Sequence, residues 1–237
     1  MIDPFERGKV WFLYLKLERE FIETTSYVAL ETVHENVWSE KFGELLIRIG
    51  SSVGSFFNLV ASSKSLDKER TVTKLRKRME KESPSITDFR KAFNPVFQLS
   101  SVEVEASYGL TYYGELQPFK GFERKAPNWW EAHNKLKHEF FEKLEERATL
   151  QNTINALAGL FILNILHKES QRYLVRYTNV IYGEYIGKSQ MEESLMESMI
   201  GIPKGLRGFE IRATTPLFTH FFRFDENVLG SRPTVEE

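Results

Sequence analysis

The residues best suited to chemistry in this chain lie close together: His133, Asn134, Lys135, Lys137 and His138, with Arg147 a little further on. Histidine is the side chain best matched to proton transfer near neutral pH. Lysine can hold a phosphate, arginine grips one bidentately, and asparagine can orient a neighbour or donate to an oxyanion. Such a set suits metal-independent cleavage of RNA, in which a base removes a ribose 2′-hydroxyl proton and an acid protonates the leaving oxygen. One helix supplies too few groups alone. Two copies meeting across a two-fold axis would supply both acid and base.

Spacing narrows this chemistry. On a helix, Asn134 and His138 share a face, as do His133 and Lys137. His133 and His138 are turned roughly 140° from one another, a poor arrangement for a metal pair. The zincin pattern, with two histidines four apart and a glutamate between, is absent. The chain has no cysteine, which removes disulfides, thiolate metal sites and cysteine nucleophiles. Neither a metal nor another cofactor is expected.

Each of these residues also has a purely structural reading. Asn134 and His138 could be a buried hydrogen-bonding pair that fixes helix packing. Trp129 and Trp130 read as core or dimer-interface anchors, with base stacking as the rival role. Asn152, Asn155 and Asn164 read as helix–helix hydrogen bonders. Residues 64–81 hold eight basic and three acidic side chains, Lys74, Arg76, Lys77 and Arg78 among them. They fit a solvated helix, or a phosphate-contacting patch that lacks a stacking aromatic. The glycines and cations of residues 201–208 have no strand-to-helix context to make a phosphate loop. His34, His167 and His220 are scattered and receive no role.

The elements that must position these groups read as helices. Asp3-Pro4 is a helix start, followed by stripes at Val10, Leu13, Leu17, Phe21 and Val28 and at Trp11, Leu15, Ile22 and Ala29. Phe42, Leu45, Leu46, Ile49, Val53, Phe56, Phe57 and Val60 step by three and four through a second helix. Gly50, Ser51, Gly54 and Ser55 make a small-residue strip on it, where another backbone could approach. Residues 85–101 read as a helix in two pieces, broken at Asn94-Pro95. Alternation over 102–113 suggests a small β hairpin, and 117–126 a loop. Two helices are expected over about 128–145 and 148–168, the second with Leu150, Ile154, Leu157, Ala158, Phe161 and Ile165 on one face. Further helices are expected near 171–182 and 190–200, then a Gly/Pro-rich stretch to 216 and a strand at 217–224.

The fold expected is therefore all-α, a bundle of about five or six helices with a small β insertion and a C-terminal extension. Residues 1–187 would form the helical domain, and 188–237 an extension that packs on a dimer partner. With 237 residues, 41% of them hydrophobic, the chain can bury a sizeable core. A net charge of −1 gives no global field for nucleic acid or an acidic membrane, so any polyanion site must be a local patch. The apolar run 154–166 is too short for a span of roughly 20 residues, and the N-terminus does not read as a signal peptide. A cytoplasmic, non-membrane protein is the expectation.

The segment Pro127-Asn-Trp-Trp-Glu-Ala-His-Asn-Lys-Leu-Lys-His138, with the Ala148-Thr-Leu…Ala-Leu-Ala…Leu-Phe161 run after it, resembles the HEPN superfamily of small helical proteins. Many members carry an Arg-polar-x-x-x-His motif on a helix and dimerise to build a ribonuclease site. Here Asn134 sits at the polar position and His138 at the histidine, while His133 replaces the arginine. About 40 residues look like uncharacterised microbial HEPN-like proteins. The resemblance implies a homodimer that binds or cuts RNA, in a defence or toxin–antitoxin setting. His138 would be the acid/base and Asn134 the orienter, with His133, Lys135, Lys137 and Arg147 on the phosphate side. The competing readings are a non-catalytic module that binds a protein partner, and a nucleotide-binding module that does not cleave.

Overall fold

The computed structural model describes residues 8–167, 170, 174, 181–185 and 209–223. Seven α-helices lie among these residues: α1 (Lys9–Thr24), α2 (Glu40–Ala61), α3 (Arg70–Met79), α4 (Ile86–Phe97), α5 (Asn128–His138), α6 (Phe140–Arg147) and α7 (Leu150–Leu166). Five strands accompany them: β1 (Val104–Tyr108), β2 (Thr111–Leu116), β3 (Ile181–Tyr185), β4 (Phe209–Thr214) and β5 (Phe218–Arg223).

The protein is mainly helical, but it is not all-α. The strands form one antiparallel sheet in the order β2-β1-β5-β4-β3. The expected hairpin near 102–113 is present as β1–β2, turning at Gly109 with φ 60°. It is not an isolated insertion, because β1 pairs on its other side with β5, Glu105 opposite Thr219. The strand expected at 217–224 is β5, and β4 occupies part of the stretch read as Gly/Pro-rich loop. Ile181 and Tyr182, expected to end a helix, belong to β3 instead. The helix starts expected at Asp3-Pro4 and near 190 lie outside the described residues.

Local signals explain three of the helix starts. Ser39 accepts from the Phe42 amide and Thr149 from the Asn152 amide, capping α2 and α7. Ser85 and Asp88 form a reciprocal capping box on α4. The caps of α2 and α7 are tied together by a bridge between Trp38 and Thr149 and by the Ser39 amide bonding the Ala148 carbonyl. The two most apolar helices thus start side by side. All eight apolar positions of α2 named above are buried, and so is the stripe on α7.

Three helix limits differ from the expectation. α1 stops at Thr24, whose hydroxyl bonds the Phe21 carbonyl, so Val28 and Ala29 lie past it. α4 runs through Pro95 and ends on Gln98 at φ 50°. Near a C-terminus, proline forfeits only one intrahelical bond. The helix expected over 128–145 breaks at Glu139, with φ −134° and ψ 52°, into α5 and α6.

The sheet joins the helical core through aromatic contacts. Phe218 of β5 lies 5.6 Å, ring to ring, from Phe161 of α7, which in turn meets Tyr14 of α1 at 5.7 Å. The turn between β4 and β5 is fixed by a buried carboxyl. Glu18 of α1 accepts from the Tyr14 hydroxyl, the Thr215 hydroxyl and the Leu217 amide. Burial pushes the Glu18 carboxyl above its usual range. No described helix is long and apolar enough to cross a membrane.

Candidate functional site

Helix α5 carries the candidate site, and its two faces divide the candidates. Trp129, Ala132, His133 and Leu136 are buried, the i, i+3, i+4, i+7 pattern of a core-facing stripe. His133 therefore points inward. Its ring is packed against Gly50 of α2, where an added Cβ would collide with it, and 5.4 Å from the Trp130 ring. The ring lies beside the Leu46 backbone, and Nδ1 has no partner among the described residues. Burial, helped by the charges of Lys137 and His138, pushes the imidazole down to about 4. At neutral pH His133 is uncharged.

The opposite face is open. Asn134, Lys135, Lys137 and His138 are all exposed. Asn134 and His138 lie one turn apart at the end of α5. Lys135 pairs with Glu139 at 3.7 Å, and Lys137 makes no ion pair among the described residues. The buried-pair reading of Asn134 and His138 does not describe this geometry, because both side chains meet solvent. Arg147 sits at the far end of α6, about 12 Å of helix beyond the break. Its guanidinium pairs with Glu146 at 2.7 Å and its Nε is buried without a partner. The structure thus brings together Asn134, Lys135, Lys137 and His138, and separates His133 and Arg147 from them.

The neighbouring aromatics hold α5 in place. Trp129 is buried against Phe119 and Gly159, and its Nε1 donates to the Pro118 carbonyl at 2.6 Å. Trp130 is half-buried over Gly54. The small-residue strip of α2 therefore receives a histidine and a tryptophan ring rather than another backbone. Of the three asparagines of α7, Asn152 joins two helices, donating to the Arg147 carbonyl at the end of α6. Asn155 and Asn164 donate within α7, to the carbonyls of Gln151 and Leu160. The basic run on α3 is partly committed: Arg76 donates to the Ala61 and Ser63 carbonyls at the end of α2, and Arg78 pairs with Asp88 and Glu82. The glycine-rich residues 201–208 lie outside the described part.

A concavity that sequence reasoning missed opens at the other end of α5. It encloses about 620 Å³. Glu35, Glu103, Tyr113 and Glu115 line it from the first loops and the β1–β2 hairpin, Lys120 and Lys125 from the 117–127 loop, and Asn128, Gln151 and Asn152 from the first turns of α5 and α7. Glu35 accepts from the Tyr113 hydroxyl at 3.4 Å and from Gln151 Nε2 at 3.1 Å. Gln117 donates to Glu103. The only sequence signal was a polar loop before α5, which by itself marks nothing.

No protein-family model matches the chain, and no curated protein or solved structure does.

Proposed function

We propose that the protein is a HEPN-like, cytoplasmic RNA-binding protein that acts as a homodimer through the exposed end of α5. The observation carrying this reading is the shared, solvent-open position of Asn134 and His138 beside Lys135 and Lys137. Lysines at this edge meet phosphates, and Asn134 orients the ribose or the imidazole. His133, neutral and turned into the core, takes no part in phosphate binding, so the cation that the family places there comes from Lys137. One His138 cannot serve as base and acid in the same step. His138 of one copy takes the 2′-hydroxyl proton as O2′ attacks phosphorus, and His138 of a second copy protonates the departing 5′ oxygen. The products are a 2′,3′-cyclic phosphate and a 5′-hydroxyl end.

The inward position of His133 also favours a second reading, RNA binding without cleavage. One experiment separates them: incubation with RNA in the presence of a chelator, with binding measured in parallel. Cleavage expects a loss on the order of 100-fold or more in His138→Ala, the usual worth of a general acid–base group, with binding retained. Equal cleavage by both proteins, or none by either, eliminates the ribonuclease. Failure of both to bind RNA eliminates the RNA-binding reading as well.

A further inference from the structure

The concavity at the start of α5 stands apart from the edge just described. Asn128, which lines it, and His138 are ten residues apart on one helix, about 15 Å along its axis. A volume of about 620 Å³ is in the range of small-ligand sites. Its charges are of both signs. Glu35, Glu103 and Glu115 supply carboxylates, and Lys120 and Lys125 supply ammonium groups. Among the described residues no ion pair joins any of these five, to each other or elsewhere.

The carboxylates and ammonium groups around this space therefore do not neutralise one another. Two of the three carboxylates are held by neutral donors: Glu35 by Tyr113 and Gln151, and Glu103 by Gln117. Nor do the acids converge, since no three acidic or histidine side chains among the described residues gather closely enough for a metal ion. The carboxylates are thus spread around the cavity and its cations remain apart from them. A ligand with only one sign of charge leaves the other sign unanswered. A ligand bearing both answers each.

We propose that this concavity binds a small zwitterion, an ammonium and a carboxylate on one molecule, of the size of a short peptide. The ammonium meets the Glu103 and Glu115 side and the carboxylate meets Lys120, Lys125 and the Asn128 amide. Free amino acids carry the same two groups, so the length of the ligand is part of the test.

The test uses titration calorimetry of the full chain with triglycine, trialanine and glycine, with N-acetyl and C-amide forms of the tripeptides, and with spermidine. A tripeptide is expected to bind, and either block is expected to weaken it at least ten-fold. Tighter glycine than tripeptide binding identifies a free amino acid as the occupant and upholds the zwitterion chemistry. Glu115→Gln is expected to shrink the penalty of N-acetylation alone, since Glu103 remains, and Lys125→Gln that of amidation alone, since Lys120 remains. Both positions are exposed, so folding is kept, and the thermal transition of each variant verifies it. The proposal is overturned if neither tripeptide nor glycine binds, if blocked and free peptides bind alike, or if spermidine binds more tightly than any of them. None of these outcomes bears on RNA binding at the far end of α5.

Discussion

The imidazole of His133 occupies the space that a side chain on Gly50 would need. A methyl group there has nowhere to go, because the contact is with ring atoms of a buried residue rather than with a flexible tip. Gly50→Ala is expected to destabilise the fold by about 1–3 kcal/mol, the usual cost of overpacking, despite the better helix propensity of alanine. Urea unfolding of Gly50→Ala, His133→Ala and the double variant measures it. The double variant should lose less than the sum of the singles, since removing the ring makes room for the methyl. Strict additivity contradicts the contact.

His133 also has a pH signature. Its folded-state value, about 4, lies below the ordinary histidine value. Between about pH 6.5 and 4 the unfolded chain therefore binds the extra proton and the folded chain does not. Stability should fall across that window as pH is lowered. His133→Gln should flatten the slope there. A histidine resonance titrating near 6.5 and assigned to His133 would contradict its burial.

Glu18 predicts a slope of the opposite sign. Burial raises its carboxyl above the usual value. The stability it contributes is present below the unfolded value and is lost as pH rises through the folded one. Glu18→Gln keeps an acceptor for Tyr14, Thr215 and Leu217 without the charge. Its melting temperature is expected to gain on the wild type as pH rises from the acid side toward neutrality. Glu18→Ala strands those donors in a buried place, a loss of about 1–3 kcal/mol per orphaned group, at every pH.

Asn134 and His138 should behave unlike their buried neighbour Trp129. Alanine at either exposed position is expected to change stability by less than about 0.5 kcal/mol. Trp129→Ala, which empties a core site and frees the Pro118 carbonyl, should cost about 3–5 kcal/mol. Chemical denaturation of the three variants decides. A large loss in His138→Ala would make it a packing residue and undercut the proposal that it acts on RNA.

Much of the helical core was legible because its signal is local. The steps of three and four in α2, from Phe42 to Val60, mark a buried stripe without reference to anything else in the chain. The inward turn of His133 was legible too, since Trp129, Ala132, His133 and Leu136 repeat at helical spacing; reading it as chemistry obscured that. The break at Glu139 carried no mark, with neither proline nor glycine at the junction. The sheet was hidden for a different reason. Nothing near Glu105 announces Thr219 as its neighbour, and pairing across such a distance is a property of the assembled core. The Glu18 contacts with Thr215 and Leu217 belong to the same class, and so does the concavity, whose lining comes from loops and helix starts remote in the chain.

The sheet order has a consequence for how the chain is made. β5 lies between β1 and β4, so β1, complete at Tyr108, waits for a strand that begins only at Phe218. During synthesis the helices, built on contacts close in sequence, can gather first, while closing the much longer loop to β5 comes late. Until then β1 has β2 on one side only, and its other edge is a bare row of amides and carbonyls able to template the pairing of a second nascent chain. Shortening the protein before β4 would make that transient edge permanent, turning a folding intermediate into a seed for aggregation.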